Sequence, residues 1–162
     1  MSRLSSLTTL LALLLIAVTL FTVLQWRGPA LDFSCSSWFR QNNTGDDFDM
    51  TSNTLFTFTP DGKGLISMDG AVVRHGETFK LRRDYSFTYT HAGGNKWQLS
   101  DVDMMLAGSD NVPAGVMERN FHNTGHRSRG ILIYIAQVRD IPGAWAVGGL
   151  YSPAFMCMDS DR

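Results

Sequence analysis

The stretch TFKLRRDYSFTYT, residues 78–90, decides the fold class of this chain. Apolar and polar residues alternate through most of it with a period of two, which is typical of a β-strand that has one buried face and one solvated face. One face carries Phe79, Leu81, Tyr85, Phe87 and Tyr89, and the other carries Lys80, Arg82, Asp84, Ser86 and Thr88. The stretch therefore predicts one long, half-buried strand.

Arg83 lies in phase with the aromatic face of this strand. A buried cation is costly unless its charge has a partner. Three explanations stay open: a β-bulge that turns the side chain outward, an ion pair with a buried carboxylate, or contact with an anionic ligand. In the third case Arg83 lies in the wall of a ligand cavity, and aromatic residues of the same face line that cavity: Phe79, Tyr85, Phe87 and Tyr89.

Short runs rich in Phe, Tyr, Val, Ile and Thr recur on both sides of this strand, separated by turn residues. The runs predict strands at residues 33–40, 54–58, 65–68, 78–90, 96–106, 116–122, 130–138 and 145–151. Pro60-Asp61-Gly62 and His91-Ala92-Gly93-Gly94-Asn95 are turn sequences. The alternation slips near Ser100, which indicates a bulge. We therefore predict an all-β domain, an antiparallel open barrel or bent sheet of about eight strands.

Chain length and charge restrict the classes of function. The 162 residues, of which 44% are hydrophobic, suffice for one folded domain with an appendage. Fourteen Lys and Arg residues nearly balance 15 Asp and Glu residues, and no run of like charge exceeds two residues. We therefore expect no nucleic-acid partner.

The N-terminal part of the chain contains an apolar run at residues 7–24, preceded by the single charge of Arg3. Eighteen helical residues cover roughly 27 Å, nearly the hydrocarbon core of a bilayer. Trp26 and Arg27 follow, where a helix meets the lipid headgroups. We predict a short cytoplasmic N-terminus at residues 1–6, an uncleaved transmembrane helix at residues 7–26, and an exported β domain at residues 27–162. The alternative is a signal peptide cleaved after Ala30.

The two cysteines lie near opposite ends of the predicted β domain. Cys35 follows the apolar run, and Cys157 is close to the C-terminus. Export to an oxidising compartment favours a disulfide between them, whereas two buried free thiols are the alternative.

Motifs for catalysis or metal binding are weak in this sequence. His122 and His126 have the spacing of paired zinc ligands, but they lie in a basic, Gly-containing loop with no third ligand motif. Neither a Ser nor a Cys lies in a nucleophile motif. The sequence therefore predicts a non-enzymatic protein with no cofactor and no metal.

The stretch Ile131-Leu132-Ile133-Tyr134-Ile135 is apolar on both faces. In an antiparallel sheet this pattern predicts a strand that is covered on both sides. We expect a partner protein to supply the outer cover, because the apolar surface exceeds what one small sheet readily buries. The predicted interface residues are Ile131, Ile133, Ile135 and Trp145.

Several of these features together resemble the FidL-like inner-membrane proteins of enterobacteria. The resemblance rests on the apolar span, the early Cys35, and the phrases FTPDGKGLISMDG, KLRRDYSFTY and DVDMMLAGSDNVP. It covers most of the exported domain and includes no catalytic signature. It implies a single-pass protein of the bacterial inner membrane, with its C-terminal domain in the periplasm.

The resemblance also implies partners. FidL-like proteins are similar in organisation to ToxS-type accessory proteins, which associate with membrane-bound transcription regulators of the ToxR kind. Some such accessory proteins form a lipocalin-like barrel jointly with the regulator's periplasmic domain and bind bile salts. We therefore expect a non-enzymatic accessory protein that binds and stabilises the periplasmic sensory domain of such a regulator, tethered to the lipid bilayer by its helix. The alternative is a periplasmic module that binds a small amphipathic, bile-salt-like ligand in a barrel cavity.

Overall fold

The computed structural model of the protein describes residues 12–21, 29–117, 130–149 and 155–160. Within these ranges the chain forms eight β-strands: β1 (Phe33–Asn43), β2 (Phe48–Thr59), β3 (Lys63–Arg74), β4 (Glu77–His91), β5 (Lys96–Leu106), β6 (Ile131–Gln137), β7 (Ala144–Gly149) and β8 (Phe155–Asp159). Each strand pairs antiparallel with the next, and β8 pairs with β1. The predicted all-β antiparallel class is confirmed, but the sheet is a closed barrel and not the open barrel or bent sheet that we expected.

The tight turns arise from residues that accept positive φ angles. Gly62 ends the predicted Pro-Asp-Gly turn between β2 and β3 with φ 82°, and Gly93 and Gly94 form the turn between β4 and β5 with φ 101° and 57°. Both predicted turns are confirmed. A third turn, His75-Gly76, connects β3 to β4 with φ 51° and 77°. This turn was not predicted. Because it lies at His75-Gly76, β3 extends to Arg74, well beyond the predicted residues 65–68.

The predicted irregularity near Ser100 is a β-bulge between β4 and β5. Ser86 faces Asp103, whereas Thr88 faces Ser100, so β5 contains one extra residue at this point. At the bulge, Asp101 has a positive φ of 51°, a backbone conformation that accommodates the extra residue. The prediction of a bulge is therefore confirmed.

Two strand predictions differ from the structure. Residues 116–122 were predicted as a strand, but Val116 and Met117 form a helical turn that packs into the core, and residues 118–122 lie outside the described ranges. Conversely, β8 was not predicted. Its sequence FMCMD has few β-branched residues, so a propensity reading does not separate it from a loop.

The interior of the barrel contains two clusters of buried side chains. On β2 every second residue is buried and so faces this interior: Phe48, Met50, Ser52, Thr54, Phe56 and Phe58. The first cluster, which we call the disulfide cluster, includes Cys35, Phe58, Tyr89, Trp97 and Cys157. The second, which we call the plug cluster, includes Phe48, Met50, Val72, Leu81, Val112, Val116 and Met117.

The barrel closes at the β1–β8 seam. In the described residues the ladder there comprises two pairs, Cys35 with Asp159 and Ser36 with Met158. The Ser37 hydroxyl donates a hydrogen bond to the Met156 carbonyl oxygen at 2.9 Å. The predicted disulfide is confirmed: Cys35 and Cys157 are bonded across the seam, with their Cα atoms 5.3 Å apart. A covalent bond thus reinforces the seam where the ladder is short.

The chain divides into two compact units, Met1–Ala30 and Leu31–Arg162. In the first unit the structure describes a helix at residues 12–21, whose side chains are exposed. Across the described ranges, no helix has both the length and the apolar character needed to cross a membrane. The predicted transmembrane helix at residues 7–26 is only partly described, and the predicted cytoplasmic residues 1–6 lie outside the described ranges.

Removing the disulfide should destabilise the barrel by about 4 to 5 kcal/mol, because the bond closes a loop of about 120 residues in the unfolded chain. The comparison is between oxidised wild type and the double variant Cys35→Ala with Cys157→Ala in urea denaturation. Protein purified without reductant should also carry no alkylatable thiol after denaturation. Equal unfolding midpoints, or two free thiols, would contradict the closed and bonded seam.

Candidate functional site

A cavity of about 200 Å³ lies inside the barrel. It is bordered by members of the disulfide cluster on one side and of the plug cluster on the other, and Ile66 packs against both clusters. Every strand contributes to its lining, as these residues from β1 to β8 show: Phe39, Thr54, Ile66, Tyr85, Leu99, Ile133, Val147 and Phe155. The cavity is therefore a product of the closed barrel as a whole.

Aromatic rings form the wall of the cavity towards the disulfide cluster. Phe58 meets Phe87 edge to face, with ring centroids 5.7 Å apart. Phe87 also lies over Gly64 on β3, where an added Cβ would clash with its ring. Because Gly64 has no side chain, the Phe87 ring can approach the β3 backbone at this position.

Polar atoms are few along this cavity. Thr54 is nearly fully buried, and its hydroxyl lies 3.2 Å from the hydroxyl of Ser52. The Tyr85 side chain interacts with Arg83. No charged side chain occurs among the described residues that line the cavity. The cavity thus suits an apolar body with at most a small polar group.

Arg83 forms a buried ion pair with Asp110, whose side chains are 5% and 2% exposed. The Arg83 Nε donates to Asp110 Oδ2 at 2.9 Å, and Nη2 donates to Oδ1 at 3.1 Å. Asp110 also accepts from the backbone N–H of Arg82 at 2.9 Å and of Val112 at 3.1 Å. Of the three explanations that the sequence left open for Arg83, the ion pair is the one that the structure contains.

The pair stays charged because each partner offsets the cost of burial for the other. Burial by itself raises the pKa of Asp110, but the hydrogen bonds from Arg83 and from the Arg82 N–H outweigh it, so the pKa lies below its ordinary value. Burial likewise lowers the pKa of Arg83, but the hydrogen bond and charge of Asp110 raise it by more.

Asp110 belongs to a non-strand segment at residues 107–117, which we call the plug. The plug runs beside β4: the Ala107 N–H donates to the Arg82 carbonyl at 3.1 Å, and the Asn111 N–H donates to the Lys80 carbonyl at 3.1 Å. The side chains of Val112, Val116 and Met117 then pack into the plug cluster. The ion pair therefore fixes the plug in the barrel end that these side chains fill.

Tyr89 organises the region around the start of β1. Its hydroxyl accepts a hydrogen bond from the Leu31 N–H at 3.0 Å and lies 2.7 Å from the Thr59 carbonyl oxygen, to which it can donate. Burial raises the pKa of this hydroxyl, although the hydrogen bond with Leu31 opposes the change. Tyr89 thus joins β4 to residues preceding β1 and to the end of β2.

The structure separates the five residues that were predicted to face a ligand. Tyr85 and Phe87 line the cavity. Phe79 packs against the plug cluster, and Tyr89 belongs to the disulfide cluster. Arg83 lies beside the cavity and is engaged by Asp110.

The residues predicted at a protein interface face the barrel interior in part. Ile131 and Ile133 line the cavity, and Ile135 is buried in the disulfide cluster. Trp145 stacks on Phe33 with ring centroids 3.9 Å apart. Their role at an interface stays a prediction.

Sequence reasoning missed Asp110 and the lining residues outside β4. An in-phase Arg requires a carboxylate, but Asp110 lies 27 residues away and follows a Gly-Ser turn signal, so the sequence did not distinguish it from other acidic residues. The two histidines with the spacing of zinc ligands lie in another part of the chain. His122 and His126 lie outside the described ranges, and within those ranges no group of three His, Cys, Asp or Glu side chains could hold a metal ion.

An exposed apolar patch crosses the β1–β8 seam on the outer face of the barrel. We call it the seam patch, and it comprises Trp38, Leu55, Met156 and Met158, which are 36–70% exposed. Leu55 faces Ser36 on β1, and Ser36 in turn faces Met158 on β8. The patch therefore spans three adjacent strands.

Comparison with family models and with curated proteins finds no match for this chain. The cavity, the ion pair and the seam patch are the features of the described residues that bear on function.

Replacing Asp110 by Asn should destabilise the barrel by about 3 to 5 kcal/mol, because it leaves the buried Arg83 charge uncompensated. Since the pKa of Asp110 is lowered on folding, the carboxylate contributes its full stability above the unfolded Asp pKa of about 3.9, and that contribution is lost as pH falls through the folded pKa. The difference between wild type and Asp110→Asn should therefore shrink in acid.

Urea denaturation at neutral and acidic pH measures both effects. Asp103→Asn is the matched control, because it removes the same charge from an exposed position on β5. A loss for Asp110→Asn no greater than that of the control would show that the ion pair does not stabilise the fold.

Proposed function

We propose that the β domain is a non-enzymatic binding module for a small, largely apolar ligand. The observation that carries the proposal is the cavity of about 200 Å³ that all eight strands line. The interior of a closed barrel of about eight strands is either filled by side chains or holds one small ligand. An apolar cavity with few convergent polar groups is the usual form of such a site.

Cavity size restricts the ligand. Apolar protein cavities of about 150 Å³ bind benzene, so a cavity of about 200 Å³ holds one ring or a short alkyl chain. The four-ring body of a bile salt is larger and would be enclosed only in part. The size therefore favours a ligand smaller than the bile-salt-like one that the resemblance suggests.

Toluene serves as the probe for this proposal. We expect it to bind wild-type protein with a dissociation constant of about 1 mM or tighter, equivalent to about −4.1 kcal/mol, and to raise the thermal midpoint in proportion to occupancy. Ile66→Phe should abolish binding, because Ile66 lines the cavity and packs against both clusters, so the larger ring fills the space. NMR titration of the methyl groups that line the cavity measures the binding.

Leu65→Phe is the matched control, since this neighbour of Ile66 does not line the barrel cavity. It should leave toluene binding unchanged. If no binding is detected in a solution saturated with toluene, and Ile66→Phe increases the stability of the fold, the space is an unfilled part of the core and not a ligand site.

The second candidate function is that of an accessory protein, in which the β domain binds and stabilises the outer sensory domain of a membrane-bound, ToxR-like regulator. The seam patch favours it, because contiguous exposed apolar side chains usually mark an interface. The disulfide fits a periplasmic location. The apolar run at residues 7–24 would supply the tether to the inner membrane.

Met158→Ser tests this candidate. It should reduce co-purification with the outer domain of a single-span regulator encoded beside this chain, and it should lower the regulator's steady-state level, because a partner that binds only the folded state stabilises it. Met105→Ser is the control, since Met105 and Met158 are both 49% exposed and Met105 lies on β5. Equal effects of the two variants, or none, would exclude the seam patch as the interface.

A further inference from the structure

We propose that the cavity selects neutral ligands over anionic ones and that Asp110 sets this preference. The inference rests on the proposed ligand-binding function and adds the chemical class of the ligand. Its starting point is the position of Arg83 next to residues that line the cavity.

Arg83 lies directly beside the cavity. Its neighbour on β3 is Met68, and Tyr85 lies two residues further along β4. Both of these residues line the cavity. A free guanidinium at this place would attract a carboxylate, because Arg binds carboxylates in two parallel hydrogen bonds.

In the folded chain, Asp110 already binds Arg83 through two parallel hydrogen bonds. Both of its carboxylate oxygens accept from Arg83, at 2.9 and 3.1 Å, and the Arg83 Nη2 also donates to the Val112 carbonyl oxygen at 3.4 Å. The two opposite charges cancel, and Asp110 occupies the Nε–Nη2 edge of the guanidinium. A ligand carboxylate would therefore have to compete with an intramolecular carboxylate for this edge of Arg83.

An anion that enters the cavity would therefore lose its hydration without gaining a cation. The described lining consists of apolar side chains with the hydroxyls of Thr54 and Tyr85, and hydroxyls can hydrogen bond with a neutral polar group. Desolvation of an unpaired carboxylate costs far more than that of an alcohol. The ligand class is thus a neutral hydrocarbon body that carries at most one alcohol, aldehyde or similar group.

Asp110 is the residue on which this selectivity depends. Replacing it by Asn removes the negative charge and keeps one acceptor oxygen, which serves either the Arg82 N–H or the Val112 N–H, since these bond to different oxygens of Asp110. Arg83 then has an unbalanced charge beside the cavity, and an anion of suitable size gains a partner there. Removing both charges, with Arg83→Met and Asp110→Asn together, restores an uncharged wall and should restore the preference for neutral ligands.

Benzyl alcohol and benzoate form a matched pair of probes, because both carry one ring and they differ in charge at neutral pH. Wild-type protein should bind benzyl alcohol at least about tenfold tighter than benzoate, a difference of about 1.4 kcal/mol. Calorimetric titration of both probes measures the ratio. Benzoate binding as tight as that of benzyl alcohol would overturn the neutral selectivity and leave the proposed binding function intact, whereas failure of both probes and of toluene would remove the binding function itself.

The variants test the part assigned to Asp110. Asp110→Asn should tighten benzoate binding at least about tenfold relative to wild type, and the double variant should not. Circular dichroism establishes which variants are folded, and the wild-type ratio decides the selectivity if Asp110→Asn does not fold. Folded Asp110→Asn protein with an unchanged ratio would show that Asp110 does not set the preference.

Discussion

Closure of the sheet at the β1–β8 seam is the constraint on which the rest of this structure depends. An antiparallel sheet that stays open leaves two edges with unpaired backbone groups, and its inner face must be covered by another element. Here the first and last strands meet instead, and the Cys35–Cys157 bond holds them where the described ladder has only two residue pairs. Closure creates an interior that every strand lines, and hence the cavity.

The Arg83–Asp110 ion pair holds the plug in position within a mostly apolar interior. The plug is not a strand, so it has no continuous ladder to hold it in the barrel end. Asp110 adds to its few backbone bonds with β4 by accepting from the Arg83 side chain and from the Arg82 N–H. A buried pair of this kind adds little net stability compared with apolar packing, but loss of one partner is costly. It therefore specifies where the plug lies more than it strengthens the core.

Much of the fold could be predicted from local patterns, because local rules determine it. The alternation in residues 78–90 gives the direction of each side chain in β4, and the turns at Gly62 and Gly93-Gly94 follow from the φ angles that glycine accepts. Closure could not be predicted in the same way, since it depends on the curvature summed over eight strands. The cavity depends on the mutual fit of side chains that are far apart in sequence, such as Phe39, Ile66 and Phe155. The carboxylate that pairs with Arg83 likewise lies 27 residues away. Periodicity contains no information on such distant matches.

The strand order has a consequence for how the barrel assembles. Each strand pairs with its neighbour in sequence, so contacts between consecutive strands up to β5 have low contact order and can form as successive hairpins. Only the pairing of β8 with β1 brings together residues 122 positions apart, as the two cysteines are. β1 is therefore the first strand to be synthesised, but it receives its second neighbouring strand, β8, last. Until the C-terminal strand has emerged, the seam edge of β1 lacks its native neighbour, so a chain that is still being synthesised carries an incomplete barrel.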